Sequence, residues 1–130
     1  MVKDFTKNYI FVAGGIGVTP VRSILAEAEH NAQQLKAQVL YASKEQDILF
    51  KKQLDDFCAH NPTLSVTYIK DAEQTLTASL TKVVRSTEDT YVYITGPEPM
   101  VEQFTVTTKK LGIDTRHIQT DFFDGYVSIG

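Results

Sequence analysis

The sequence predicts a doubly wound α/β domain, a five-stranded parallel sheet with helices on both faces. Five apolar, β-branched or aromatic runs alternate with stretches of helical spacing, which implies right-handed crossovers and parallel strands. A glycine-rich turn joins the first run to the first helix. The chain has 130 residues, 42% of them hydrophobic and 22% charged, as expected of one soluble globular domain.

The strands fall near 9–14, 37–43, 64–70, 91–95 and 116–120, and the helices near 20–30, 47–59, 77–85 and 97–111. In the first helix Val21, Ile24, Leu25 and Ala28 recur at i, i+3, i+4 and i+7, giving one apolar face. Thr19 is placed to cap it, and Pro20 suits a first helical position because it lacks an N–H. Asp47 is placed to cap the second helix, before Ile48 and Leu49. Leu76, Leu80, Val83 and Val84 keep helical spacing in the third, and Met100, Phe104 and Leu111 in the fourth. Gly112 reads as a left-handed cap on the fourth, with Glu98 and Glu102 near its start and Lys109 and Lys110 near its end, complementing its dipole. No repeat, low-complexity segment or internal linker interrupts the pattern.

Composition excludes several classes of function. A formal charge of −3 without a basic run argues against nucleic acid or an anionic membrane as the main partner. The pairs Lys51-Lys52 and Lys109-Lys110 read as solvated helix surface. The one cysteine, Cys58, excludes an internal disulfide and any four-cysteine metal or iron–sulfur site. It shares an apolar helix side with Phe50, Leu54 and Phe57, which fits a buried small residue better than a nucleophile. His30, His60 and His117 lack metal-ligand spacing, so no metal is expected. There is no signal peptide or membrane-spanning run, so no membrane insertion is expected and a cytoplasmic setting is the default.

In doubly wound sheets ligands bind beyond the C-terminal strand ends, where the strand order reverses. Three loops lie there. The first, Gly14-Gly15-Ile16-Gly17-Val18-Thr19-Pro20, feeds a helix N-terminus through glycines, which lets backbone N–H groups meet a phosphate closely. Pro20 stands where the common G-x-G-x-x-G pattern has its third glycine, and no Gly-Lys-Ser/Thr follows, so a P-loop is excluded. A bare strand–helix joint would also explain the turn. The second loop, Ser43-Lys44-Glu45-Gln46-Asp47, places a hydroxyl and a cation where a strict NAD reader has a carboxylate. Ser43 and Lys44 could accept a ribose 2′-phosphate, while a solvated loop explains them nearly as well. The third, Thr95-Gly96-Pro97-Glu98-Pro99-Met100, reads as a sharp turn into a helix and, at the sheet edge facing the first loop, as a second ligand loop.

Together these segments resemble the NAD(P)-binding domain of the ferredoxin–NADP reductase-like flavoprotein family, over nearly the whole chain from Tyr9 to Tyr126. Residues 14–20 match its G-G-x-G-x-T-P pyrophosphate loop. Tyr41-Ala42-Ser43-Lys44 with Asp47-Ile48-Leu49-Phe50 resembles the segment that sets ribose selectivity. Tyr93-Ile94-Thr95-Gly96-Pro97 through Met100 is similar to its C-G-P-x-x-M segment under the nicotinamide, with Thr95 in place of the frequent cysteine. Thr120-Asp121-Phe122-Phe123-Asp124-Gly125-Tyr126 is similar to its acidic-aromatic ending.

The resemblance implies a Rossmann-like fold and a site using Gly14, Gly15, Ile16, Gly17, Val18 and Thr19 with Pro20 for pyrophosphate. It implies Ser43 and Lys44 for the adenosine ribose or its phosphate, and Thr95, Gly96, Pro97 and Met100 for nicotinamide. Asp121 and Phe122 would lie near the flavin. The implied cofactors are NADP or NAD, with an FAD or FMN held mainly by another domain. In the whole reductase NAD(P)H gives hydride to the flavin N5, and no general base is required. None of Arg22, Arg85 and Arg116 fits the R-x-Y-[ST] flavin motif, and the eight residues before Tyr9 cannot form the flavin-binding barrel. The expected organisation is therefore a linker or artificial start at 1–8 and the NAD(P)-binding domain at 9–130, with the flavin domain as partner in cis and the electron acceptor unspecified. The isolated chain is expected to reduce nothing. The alternatives are a dinucleotide-sensing module without electron transfer, or a flavodoxin- or receiver-like interaction domain. The glycine loop lacks the hydroxyls of a flavodoxin, and the strand ending Val12-Ala13 lacks the acidic pair of a receiver.

Overall fold

A computed structural model describes residues 7–14, 18–42, 48–69 and 89–122. In chain order the elements are β1 (Asn8–Gly14), α1 (Val18–His30), β2 (Ala37–Ala42), α2 (Ile48–His60), β3 (Leu64–Ile69), β4 (Thr90–Gly96), α3 (Glu98–Lys110), a 3₁₀ turn (Thr115–His117) and β5 (Ile118–Phe122). The five strands form one parallel sheet in the order β3-β2-β1-β4-β5. The order reverses between β1 and β4, so the crevice expected of a doubly wound sheet opens beyond Gly14 and Gly96. The helix expected at 77–85 lies outside the described residues.

The central strand has no polar face, because helices cover both of its sides. Tyr9 to Ala13 are all buried, the continuous run that a two-sided parallel strand requires. Phe11, Ala13, Val39, Tyr41 and Tyr93 pack with Val21, Leu25 and Ala28 of α1 and Leu54 of α2. Their strand neighbours Ile10, Val12, Leu40, Val92 and Ile94 pack with Val101 and Phe104 of α3 on the opposite face. Arg22 Nη1 donates to Gln53 Oε1 at 3.1 Å, and His60 Nδ1 lies 2.5 Å from Glu29 Oε1, joining α1 to α2 at two levels. Cys58 is half-buried against the first of these clusters. Burial, and secondarily the Asp55 carboxylate, push its thiol up, away from the reactive thiolate.

The ends of the elements show what the local chemistry demands. Gly112, at φ 97°, closes α3 with its N–H on the Lys109 carbonyl and the Ile113 N–H on the Thr108 carbonyl, the six-to-one and five-to-two pattern of a Schellman cap. Ala32, at φ 55°, closes α1 the same way, so an alanine carries a left-handed backbone there. Two elements start two residues away from the sequence reading. Helix α1 begins at Val18, so Thr19 lies inside its first turn rather than ahead of it. Pro20 is tolerated there because first-turn N–H groups have no intrahelical acceptor. Strand β5 begins at Ile118, two residues later than expected, because Asp114 diverts the chain into a turn.

That turn has a pH signature. The Asp114 side chain accepts from the Arg116 backbone N–H at 2.9 Å and from its guanidinium at 2.8 Å, which together hold the carboxyl well below the ordinary carboxylate value. A depressed folded value means the contribution is complete above the unfolded carboxylate pKa, near 3.8, and drains as pH falls below it. Asp114→Asn is therefore expected to lower Tm slightly at pH 7, and the difference from the native chain is expected to shrink below pH ~4, read by thermal melts across pH.

No helix among the described residues is long and apolar enough to cross a membrane.

Candidate functional site

At the crevice the chain has removed side chains from both strands that meet there. A β-carbon on Gly14 would overlap the Met100 sulfur and stand 3.6 Å from Pro97 Cδ. One on Gly96 would meet the same sulfur at 3.1 Å and the Gly14 Cα at 3.4 Å. Gly14 ends β1 in ordinary strand conformation, so glycine is required here for close approach and not for its backbone freedom. Met100, in the first turn of α3, fills the space the two glycines leave. Helix α3 starts after Pro97 with Pro99 in its first turn and Glu98 at the positive end of its dipole.

Helix α1 begins on the other side of the crevice. Thr19 is exposed, and its carbonyl accepts from Ser23 Oγ at 3.2 Å. With Pro20 lacking a donor, the open N–H groups of this first turn belong to Val18 and Thr19. Gly15, Ile16 and Gly17, and the second-loop pair Ser43 and Lys44, lie outside the described residues, as do Asp47 and the tail beyond Phe122.

The third group lies one strand further out. Thr95 pairs with Asp121 and Gly96 with Phe122 across β4 and β5. Alternation along the strands puts Tyr93, Thr95 and Asp121 on the face that carries α1. Thr95 is fully buried; among the described residues its Oγ1 meets no partner at full hydrogen-bond geometry, and the Tyr93 phenol lies near enough for the two hydroxyls to influence one another. Tyr93 is buried beneath the exposed Asp121. Burial, then the charge of Asp121 and hydrogen bonding toward it, raise the Tyr93 phenol above its ordinary value, and the Thr95 hydroxyl partly opposes the rise. The sequence reading did not single out Tyr93; its spacing of two from Thr95 was the available signal.

The structure packs Gly14 of the first loop against Gly96, Pro97 and Met100 of the third and pairs Thr95 and Gly96 with Asp121 and Phe122, while Val18, Thr19 and Pro20 open α1 after β1. Such a place suits an elongated anionic ligand: backbone donors at a helix start, and a crevice walled by two glycines packed under Met100.

Comparison with known proteins agrees. The chain is 29% identical over 122 residues to NADH-cytochrome b5 reductase 1 of Candida albicans, covering 84% of this chain and 42% of that protein. It is 32% identical over 131 residues to nitrate reductase [NADH] 1 of Phaseolus vulgaris, covering 87% of this chain and 14% of that protein. The chain therefore spans less than half the length of either relative. Among solved structures, the flavohem-like FAD/NAD-binding domain of nitric oxide dioxygenase from Vibrio cholerae superposes with a TM-score of 0.79 at 18% identity, over 95% of this chain and 53% of that one, a likeness of fold. A family model for the oxidoreductase NAD-binding domain matches residues 11–105, from the central strand through the glycine crevice into α3. With that match spanning most of the chain, the protein belongs to the oxidoreductase NAD-binding domain family.

Proposed function

We propose that this chain is the dinucleotide half of a flavin-dependent reductase and holds NAD(P)H so that its nicotinamide faces a flavin, FAD or FMN, carried by a separate domain. The observation that carries the reading is the paired Gly14–Gly96 crevice under Met100 at the point where strand order reverses. Backbone N–H groups of 15–19 bind the pyrophosphate, and Thr19 adds a hydroxyl. Ser43 and Lys44 bind the adenosine ribose or its phosphate. Thr95, Gly96, Pro97 and Met100 line the nicotinamide end, while Asp121 and Phe122 face the flavin domain. The dinucleotide, when bound, supplies hydride to the flavin; the protein's part is orientation. The named relatives are reductases of which this chain matches one part, and a solved neighbour is an FAD/NAD-binding domain, which supports a flavin domain in cis; a cytoplasmic setting belongs to the same proposal.

Two experiments test this. The purified, flavin-free chain is expected to bind dinucleotide weakly and to oxidise no NADPH or NADH; steady oxidation would overturn the reading. Calorimetric titration with NADP⁺ and NAD⁺, repeated on Lys44→Ala, tests nucleotide choice. The cation and hydroxyl at 43–44 favour NADP⁺ several-fold, with the preference lost in Lys44→Ala. The relatives' printed names specify NADH, and equal affinities unchanged by the substitution would remove the 2′-phosphate role.

A further inference from the structure

We propose that the end of the sheet opposite the glycine crevice carries a second binding site, for a small aryl-alkyl amine: a single ring with a protonated amine on a short arm. A cavity of about 210 Å³ opens there between the last turns of α1 and α2. Its floor is Leu25 and Ala28 of α1, Phe57 of α2, Leu35 just ahead of β2 and Leu64 at the start of β3. All but Phe57 are buried, and Phe57 is half-buried. Leu64 is level with Ala37 and Tyr9, at the opposite end of the strands from Gly14 and Gly96, so this site does not rest on the dinucleotide reading.

The walls are fixed by hydrogen bonds on both sides. Ala32, in its left-handed conformation, reverses the chain after α1, with its N–H on the Glu29 carbonyl and the Gln33 N–H on the Ala28 carbonyl. Asn61 Nδ2 and Thr63 Oγ1 both donate to the Leu35 carbonyl, at 3.4 and 2.8 Å, which fastens the α2–β3 connection to the α1–β2 connection. Neither connection can fold into the space without breaking these bonds. An apolar cavity of about 150 Å³ holds benzene, so this larger one has room for a ring and roughly two or three further atoms.

The rim decides the head group. Glu29 and His60 stand at the opening, partly exposed, with His60 Nδ1 2.5 Å from Glu29 Oε1. That contact leaves the second carboxylate oxygen to accept from a ligand. The Asn61 side chain is committed to Leu35 and Thr63, and none of the described lining residues is a lysine or arginine. An ammonium therefore meets the Glu29 charge, a hydroxyl gains a hydrogen bond alone, and a carboxylate is repelled.

The test is a chemical-shift titration of the chain with benzylamine, benzyl alcohol and benzoate at pH 8, where primary amines are protonated and imidazoles neutral. Benzylamine is expected to bind with a Kd of about 1 mM or below, about threefold or more tightly than benzyl alcohol, with benzoate weakest. Its shifts are expected at the Leu25, Leu35 and Leu64 methyls, with the Gly14 and Gly96 amides unmoved. Glu29→Gln keeps the shape of the rim and removes its charge, so benzylamine falls to the level of benzyl alcohol, whose own affinity is unchanged. Ala28→Leu fills the floor and weakens both by about tenfold or more; if that chain does not fold, the Glu29→Gln comparison alone decides. No saturable shift at the three leucines, equal native affinities for amine and alcohol, or an amine preference that Glu29→Gln leaves intact would each overturn the proposal. NAD⁺ titrated into the same chain is read at the crevice glycines, so failure at one site is distinguishable from failure at the other.

Discussion

Gly14→Val is expected to weaken NAD⁺ binding by tenfold or more and to destabilise the fold by about 1–3 kcal/mol through overpacking. The first atom added at Gly14 overlaps the Met100 sulfur, and the branches beyond it face the Pro97 ring. The sulfur can swing away only by leaving Gly96, against which it also packs, so both strands at the crevice are disturbed together. The double variant Gly14→Val/Met100→Ala separates the two effects. Opening space for the valine recovers much of the stability in denaturant titration. Dinucleotide affinity stays below native even then, because the methionine proposed to line the nicotinamide end has been cut back. Native-like NAD⁺ affinity in Gly14→Val would mean that the crevice does not hold the ligand.

That prediction also marks the limit of what the sequence disclosed. The doubly wound parallel class and the ligand crevice were legible because β1 is apolar from Tyr9 onward, glycines follow it, and helical spacing resumes at once. The glycine cap at 112 was legible because the chemistry of a left-handed helix end is local. The wedge of Met100 between Gly14 and Gly96 was not, since it joins residues 86 positions apart that carry no mark of one another. The pairing of Thr95 with Asp121 was hidden for a related reason. A strand placed at 116–120 leaves Asp121 outside the sheet. Only the Asp114 side chain, bonding the Arg116 N–H and delaying β5 until Ile118, brings Asp121 level with Thr95. A side chain competing for a backbone donor thus decides where a candidate site residue stands. The first helix teaches the same lesson at smaller scale: Thr-Pro reads as a cap followed by a first position, yet a helix that needs no donor in its first turn can start two residues sooner.

Phe11→Ala is expected to remove about 3–5 kcal/mol of stability, a large part of the roughly 5–15 kcal/mol available to a domain of this size. Phe11 lies fully buried at the middle of the central strand, level with Val39 on β2 and Tyr93 on β4. Its ring stacks on Tyr9 at 6.2 Å and meets the edge of Tyr93 at 6.3 Å, under the apolar faces of α1 and α2. Strands on both sides and helices above hold this position, so the sheet cannot collapse into the void and most of the cavity remains. Phe11→Leu keeps much of the volume and is expected to cost far less, while Val106→Ala, at a residue 52% exposed on α3, is expected to stay within about 0.5 kcal/mol. Urea midpoints at unchanged m-value measure all three. A Phe11→Ala loss no larger than that of Val106→Ala would mean that the layer beneath α1 is not packed as described.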